Sequence, residues 1–327
     1  MAMGSVTRCW GKAGTYEVVC RPPAQHLRKD VLCYRGFRVE LAKARTRLEV
    51  PDGAVSVMLG LGGELRLRNA VRPAGILCTA GATVSGMRSE AWMHSHAGHI
   101  RGVEVLMTPR GAFTAFGIDL HELADRAVRL SDLFGTGTES LLSRLAHEST
   151  WGKRFSVLDE EFTVRVATGD SWSRQVDGAW TMLRRSHGTL PTAQVAAEVG
   201  WSLRHLEGQF RRQVGLSPKV MARVLRLQRT LRLLDHGHPA GQVAVATGFH
   251  DQSHMCHEIK NMVGLTIREL LFMRSAGWPE KVPDRIPNQV TSMVLPAHFG
   301  FLQDGPPTGQ QTGTPVQGRY GVGDRND

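Results

Sequence analysis

A stretch of sequence occurs twice near the C-terminal end of this 327-residue chain. Residues 194–201 read QVAAEVGW, and residues 242–249, which follow 48 positions later, read QVAVATGF. After one extra residue in the second copy the match resumes, with Leu206, Phe210, Val214, Gly215 and Leu216 aligned to Met255, Ile259, Val263, Gly264 and Leu265. Each copy predicts a helix, a glycine turn and a second helix. This is the pattern of a helix-turn-helix, whose second helix can enter the major groove of DNA.

The local signals within each copy support this interpretation. In the first copy Gly200 supplies the positive φ of a tight turn, and Ser202 is a helix-capping residue. In the second copy Gly248 and Asp251 take the same places. Between the copies, residues 219–235 predict a helix, and Pro218 lies in its first turn. A helix of that length spans roughly 25 Å, so it could hold two recognition helices in successive major-groove turns about 34 Å apart.

The excess positive charge is concentrated in the same region. Residues 181–275 carry 13 Lys or Arg against 6 Asp or Glu, whereas residues 1–180 carry 23 against 19. Such a concentration is typical of a surface that binds a polyanion. Charge alone leaves a generally basic composition as an equal alternative.

Two stretches resemble a known family. The segment SLRHLEGQF at 202–210 resembles the first recognition helix of the AraC/XylS family of bacterial transcriptional regulators, and GFHDQSHM at 248–255 resembles the signature of its second unit. Gly264, Leu265 and Thr266 resemble the closing motif of the family, with Ile267 in place of its proline. The resemblance covers roughly residues 175–275. It implies double-stranded DNA and RNA polymerase as partners.

The resemblance also implies which side chains contact DNA. Base edges would be contacted by Arg204, Glu207 and Gly208 in the first unit and by Gln252, Ser253, Cys256 and His257 in the second. Arg204 suits guanine, Gln252 suits adenine, and Glu207 could accept from cytosine. Phosphates would be contacted by Ser202, Arg211, Lys219, Arg223, Asp251 and Lys260. Gly208 departs from the family, since many members carry a long basic side chain there; either the helix approaches DNA closely at this point or the first unit reads fewer bases.

The N-terminal region has a different character, and the predicted fold class is α+β. Short apolar runs at 54–61, 64–67, 76–79 and 103–108 predict strands of a sandwich or barrel, and helical periodicity follows at 118–130, 139–148 and 157–166. Residues 1–168 resemble, more weakly, the cupin-like sensor domains of many family members. Such a domain is expected to bind a small effector, to form a homodimer, or both. Trp92, Met107, Phe113 and Phe116 are equally compatible with ordinary core and with a ligand pocket.

The predicted organisation is a sensor or dimerisation domain at 1–168, a DNA-binding domain at 170–278 and a disordered tail at 279–327. The tail is predicted because Gly, Pro, Gln, Thr and Asp dominate its final part. Five cysteines without paired spacing argue against a disulfide framework and a zinc site. No apolar run is long enough to span a membrane, and no signal pattern begins the chain, so a cytoplasmic location is expected.

One segment could suggest metal. His94 and His96 would lie on one face of a strand, with His99 and Glu104 nearby. We interpret the histidines as a surface turn beside Gly98 and expect no metal or other cofactor. Neither a catalytic triad motif nor a phosphate-binding glycine loop is present, so an enzyme is not expected. The alternatives are a cupin-type metalloenzyme with an accessory DNA-binding module and a nucleoid-type binder without sequence preference.

Overall fold

The N-terminal region folds into two antiparallel sheets. The computed structural model describes residues 5–11, 14–72, 77–79, 81–275 and 284–295. The larger sheet has seven strands in the order β1 (Ser5–Gly11), β2 (Gly14–Arg21), β3 (Val31–Leu41), β10 (His99–Met107), β5 (Val55–Gly62), β8 (Ala82–Ser85) and β11 (Ala127–Arg129). The smaller sheet has five strands in the order β12 (Ser292–Leu295), β4 (Arg45–Glu49), β9 (Trp92–His96), β6 (Leu65–Asn69) and β7 (Leu77–Thr79).

A core of apolar side chains lies between the two sheets. Tyr16, Val18 and Val39 come from the larger sheet, while Leu67 and Trp92 come from the smaller one, and all five side chains are buried in one cluster. Side chains from the inner faces of two sheets that pack face to face form such a core. The arrangement confirms the β-rich domain and the α+β class that the sequence predicts.

Four helices complete this region: α1 (Pro109–Phe116), α2 (Ser131–Phe134), α3 (Gly137–His147) and α4 (Trp151–Thr168). The helical periodicity at 118–130 is misleading, because this segment contains only a 3-10 turn at Leu120–Leu123 and strand β11. Gly117 ends α1 with a φ of 63°, and Asp125 interrupts the following segment with a φ of 54°. The Asp125 carboxylate accepts hydrogen bonds from the Ser89 backbone and hydroxyl, which fixes the turn.

Between residues 169 and 275, all of which the structure describes, seven helices follow α4: α5 (Arg174–Arg185), α6 (Thr192–Glu198), α7 (Leu203–Val214), α8 (Pro218–Asp235), α9 (Ala240–Ala246), α10 (Gln252–Val263) and α11 (Ile267–Ser275). Helix α5 is capped by Ser173, whose hydroxyl accepts from the Val176 N–H. Within the described residues, no helix combines the length and the apolar character needed to cross a bilayer.

The chain returns to the N-terminal region after α11, and this corrects the prediction that disorder begins at residue 279. Residues 292–295 form β12, which pairs antiparallel with β4 and extends the smaller sheet. Arg285, Thr291 and Ser292 are buried. Composition does not reveal this segment because a strand of four residues is too short to show apolar periodicity, and a single arginine gives no indication that it is buried. The compact unit that contains both regions therefore extends to Leu295.

Candidate nucleic-acid interface

The first repeat unit consists of α6 and α7. Gly200 lies between them with a φ of 74°, a backbone conformation that favours glycine. The Ser202 hydroxyl caps α7 by accepting from the His205 N–H at 3.3 Å, which satisfies one of the unpaired donors at a helix start. Leu206 and Phe210 are fully buried, so one face of α7 is fixed against the domain core.

The second unit repeats this construction in α9 and α10. Gly248 has a φ of 72°, and the Asp251 carboxylate accepts from the His254 N–H at 2.7 Å. That backbone hydrogen bond, together with a side-chain hydrogen bond from the His250 imidazole, lowers the pKa of the Asp251 carboxyl. Met255 and Ile259 are fully buried, in the places that Leu206 and Phe210 occupy in the first unit.

Helix α8 connects the units and is anchored to the second one. It has 18 residues and is therefore about 27 Å long. Arg223 forms an ion pair with Glu258 of α10, and the guanidinium of Arg226 lies 5.1 Å from the ring centre of Phe249. Because these contacts fix α8 against α10, the connection between the two units is structured along its length.

The residues predicted to read bases lie on the outward faces of the two recognition helices. Arg204, Glu207 and Gly208 are exposed on α7, and Gln252, Ser253 and His257 are exposed on α10, whereas Cys256 is half-buried. Within the part of the chain that the structure describes, the side chains of Arg204 and Glu207 form no salt bridge. Residues spaced three and four apart share one helix face, so each helix presents a continuous polar stripe.

The residues predicted to contact phosphate fall into three groups. Arg211, Lys219 and Lys260 are exposed cations. Arg223 is half-buried in its ion pair with Glu258, so it already has a structural role. Ser202 and Asp251 are the helix caps; a hydroxyl can still donate to phosphate, but the ionised Asp251 carboxylate would repel it. We therefore retain Asp251 as a cap and not as a phosphate ligand.

Both recognition helices contact the N-terminal domain near their C-terminal ends. Arg212 of α7 forms a 2.8 Å ion pair with Asp119, and the Met262 carbonyl of α10 accepts from the Ala91 N–H at 2.7 Å. The N-terminal halves, which carry Arg204 and Gln252, are exposed. In helix-turn-helix proteins it is the N-terminal part of the recognition helix that meets the base edges, and this is the part that the packing leaves accessible.

Comparison with protein families assigns the domain. Residues 177–271 match the family model described as a helix-turn-helix domain. The match spans both repeat units and the connecting helix. Residues 177–271 are an AraC-type double helix-turn-helix domain. The family resemblance that the sequence motifs indicate is thereby confirmed for this domain.

Other comparisons with known proteins are partial or distant. An uncharacterized HTH-type transcriptional regulator, YbfI of Bacillus subtilis, is 39% identical over 56 residues, which is 17% of this chain and 20% of that protein, so the chain spans one-fifth of this curated relative. ToxT from Vibrio cholerae has a TM-score of 0.43 and 11% identity, covering 73% of this chain and 98% of that one. The AraC-like transcriptional activator CuxR has a TM-score of 0.29 and 16% identity, with 64% and 79% covered. At these TM-scores the likenesses assign neither a ligand nor a partner.

The histidine segment is not a surface turn, which corrects the sequence interpretation. His94 and His96 lie on β9 and are only 6% and 8% exposed. They line a cavity of about 50 Å³ between the sheets. Burial is the main reason that the pKa of His94 is lowered to about 3 and that of His96 to about 4. Alternation along β9 explains the error: a polar pair at i and i+2 marks one face of a strand, and here it is the inner face.

The surroundings of these histidines do not resemble a metal centre. The Nδ1 of His94 lies 3.2 Å from Glu49, and the Nδ1 of His96 lies 3.1 Å from the Gly98 backbone N–H. No three His, Cys, Asp or Glu side chains within the described ranges are grouped to hold a metal ion. Trp92, Met107, Phe113 and Phe116 are buried but do not belong to the cavity wall.

Proposed function

We propose that this chain is a sequence-specific transcriptional regulator of the AraC/XylS type that binds double-stranded DNA through α7 and α10. The observation that carries the proposal is the repeated geometry of the two units. Each has a glycine turn with positive φ, a capped recognition helix and an exposed polar stripe, and each recognition helix contacts the N-terminal domain near its C-terminal end. A single recognition helix would be compatible with many roles, whereas two matched helices on a structured connection suit two successive major grooves.

The two helices carry different side chains, so the proposed target is asymmetric. Arg204 would donate to guanine and Glu207 would accept from cytosine, while Gln252 would pair with adenine. Ser253, Cys256 and His257 complete the second set. One chain would therefore read a bipartite site whose halves differ. A palindromic target would require a homodimer, which we propose only in that case.

Gly208 supports close approach of α7 to DNA. Apart from its chain neighbours and the nearby backbone of its own helix, a Cβ built at this position would have no atom within 4 Å, and the residue lies inside a helix, where glycine costs about 1 kcal/mol relative to alanine. Protein packing therefore gives no reason for a glycine here. A base pair or phosphate lying against the helix would give one.

The N-terminal domain is proposed to bind a small effector and to bias the arrangement of the DNA-binding domain. The cavity between its sheets supports this role, because several ionisable side chains surround a space about the size of a few water molecules. An effector can shift a protein only through different affinities for its two arrangements. Contact with RNA polymerase is part of the same proposal.

The proposal is tested by selecting bound duplexes from a random pool and then measuring competition at fixed salt. We expect a motif with two unlike blocks about one helical turn apart, bound at least about a thousandfold more tightly than random DNA. Binding that is equal for selected and random duplexes would instead favour a nucleoid-type protein. Stoichiometric metal in the purified protein, lost together with activity on a small substrate in His94→Ala, would favour the cupin-type enzyme.

A further inference from the structure

The N-terminal domain contains a buried ion cluster in which positive charge exceeds negative charge. We define it by Arg35, Arg47, Arg88, Arg285, Glu49, Asp52 and Glu104. Six of these residues are at most 5% exposed, and the Arg47 side chain is 19% exposed. Four guanidinium groups thus face three carboxylates, and His94 beside them is neutral because burial lowers its pKa to about 3.

Arg285 is the hub of this cluster, although it follows the DNA-binding domain in the sequence. Its guanidinium lies 2.7 Å from Glu49 and 2.8 Å from Glu104, and it also pairs with Asp52. Burial alone would lower the pKa of Arg285, but the three carboxylates together raise it. Burial disfavours the charged form of Glu104 as well and would raise its pKa. Arg285 and Arg35 nevertheless lower the pKa of Glu104 to about 2. Arg285 and Glu104 are therefore both charged at neutral pH.

Part of the cluster lines the cavity, and some of its polar groups there are incompletely paired. Arg35, Arg47, Glu49 and Glu104 line the cavity, together with Tyr16. Within the described residues, the Tyr16 hydroxyl, Arg35 Nε and Arg47 Nε have no hydrogen-bond partner. Burial lowers the pKa of Arg47, which indicates that its charge is poorly compensated. An excess buried cation is costly unless an anion joins it.

The cavity lining also includes apolar side chains, among them Val18, Phe37, Leu65 and Ile100. The cavity volume of about 50 Å³ corresponds to roughly four water-sized groups. A ligand that suits both the charged and the apolar side chains of this lining has one negative charge, a planar head that suits guanidinium donors and an apolar part of a few carbon atoms. A short-chain carboxylate has these properties.

Arg285 also connects the cluster to the DNA-binding domain. Its neighbour Asp284 lies 3.2 Å from Arg274 of α11, and Arg274 pairs in turn with Asp235 of α8 at 2.6 Å. A few residues further on, the Val290 backbone N–H donates to the Gln228 side chain of α8 at 3.1 Å. The segment 284–295 thus contacts the ion cluster on one side and helices α8 and α11 on the other.

We propose that the cavity binds a small organic monoanion and that Arg285 transmits this binding to the double helix-turn-helix domain. The anion would engage Arg35 and Arg47, and this added negative charge would strengthen the hold of the cluster on Arg285. Segment 284–295 would then be fixed more firmly between the sheet and α8. The assignment of the ligand class depends only on the cavity, whereas the effect of the ligand on DNA binding rests on the proposed function.

The test uses the full chain with propionate as the probe and propionamide as its uncharged isostere, at constant ionic strength. Calorimetry and the unfolding temperature report binding. We expect propionate, and not propionamide, to bind and to raise the unfolding temperature of the unaltered protein. Arg47→Met should abolish this effect, whereas Arg268→Met, an exposed residue of α11, should leave it unchanged. Equal behaviour of the two probes would overturn the anion assignment.

Transmission is tested with Arg285→Met, because Arg285 does not belong to the cavity wall. Its loss should weaken propionate binding at least about fivefold, the lower range of allosteric couplings. If that variant does not fold, Asp52→Asn provides the same test, since Asp52 holds Arg285 without lining the cavity. Unaltered propionate affinity in the variant that folds would overturn the role of Arg285.

The last experiment measures how propionate and DNA affect the binding of each other. Propionate should change the affinity of the unaltered protein for its selected duplex, and saturating duplex should change propionate affinity by the same factor. A factor of one would overturn transmission. Failure to bind any duplex selectively, with propionate binding intact, would refute the proposed function and leave the cavity assignment standing.

Discussion

Gly208 is the residue at which protein stability and DNA binding are expected to conflict. It is exposed within α7, and a Cβ there would meet no atom within 4 Å other than its chain neighbours and the nearby backbone of its own helix. Gly208→Ala should therefore stabilise the protein by up to about 1 kcal/mol, which urea unfolding measures. We expect the same change to weaken binding to the selected duplex, because the added methyl group would hinder close approach. Gly152→Ala, at an open position in the first turn of α4, is the control for an added methyl group and should not affect DNA binding. Unchanged DNA affinity in Gly208→Ala would remove the close-approach explanation.

His94 and His96 predict an acid-sensitive fold. In the folded chain their pKa values are lowered, chiefly by burial, to about 3 and about 4, whereas an imidazole in an unfolded chain titrates near 6.5. Between these values the unfolded chain binds more protons, so the free energy of unfolding falls as pH decreases below about 6.5. Each histidine contributes up to about 1.4 kcal/mol per pH unit.

The measurement is urea unfolding between pH 7.5 and pH 5. This range lies above the pH at which protonation of Glu49 and Glu104 would also lower the free energy of unfolding. The pKa of both carboxyls is lowered by Arg285 despite their burial, so their contribution disappears only as pH falls below the ordinary carboxyl value of about 4.3. His96→Gln should flatten the pH dependence between pH 6.5 and pH 5. The same slope in His96→Gln and the unaltered protein would contradict the assignment.

At the scale of elements, α8 is the link between the DNA-binding domain and the sheets. The buried Gln228 amide donates to the Pro51 carbonyl at 2.6 Å and to the Val290 carbonyl at 3.0 Å, and its oxygen accepts from the Val290 N–H. Gln228→Leu would leave three buried backbone groups unpaired, each costing about 1–3 kcal/mol. We expect a loss of about 3 kcal/mol or more in the free energy of unfolding. Gln242→Ala, on the exposed side of α9, should change it by less than about 0.5 kcal/mol. Similar values for both variants would show that Gln228 does not join the domains.

The elements also show which parts of this fold can be inferred from sequence. The helices of the repeat are predictable because local signals agree: Gly200 and Gly248 adopt positive φ, Ser202 and Asp251 cap, and the apolar spacing matches the buried face. Residues 118–130 have helical spacing without such boundaries, and the structure forms a 3-10 turn and a short strand there. Apolar spacing therefore predicts a helix reliably where capping and glycine residues also mark the start and the end of that helix.

The rest depends on long-range contacts that no local pattern contains. Arginine is usually exposed, so the sequence gives no reason to expect Arg285 in the interior. Arg285 is nevertheless buried against Glu49 and Glu104, which lie far away in the sequence. The inward direction of His94 and His96 depends on β9 pairing with both β4 and β6. The cavity residues therefore emerge only once the register of the sheets is known. In contrast, the exposed stripes of α7 and α10 follow from helical spacing and could be named in advance.

At the scale of the whole molecule, two sheets, a buried ion cluster and a double helix-turn-helix domain form one compact unit that ends at Leu295. The N-terminal domain contacts both recognition helices near their C-terminal ends, and segment 284–295 returns to the smaller sheet. A change in the sheets could therefore reach both units. Through these contacts, the effector binding that we propose for the N-terminal domain would act on DNA binding without that domain touching DNA.

The most direct measurement of the central claim compares Arg204→Ala with Lys260→Ala on the selected duplex, on its single-base variants and on random DNA. Both side chains are exposed cations on recognition helices, but Arg204 is proposed to contact a base and Lys260 a phosphate. Arg204→Ala should lose about 1–3 kcal/mol on the selected duplex and relax the preference at one base pair. Lys260→Ala should weaken binding to all duplexes alike and reduce the slope of log affinity against log salt by about 0.9. Equal losses on selected and random DNA for both variants would contradict sequence reading by α7.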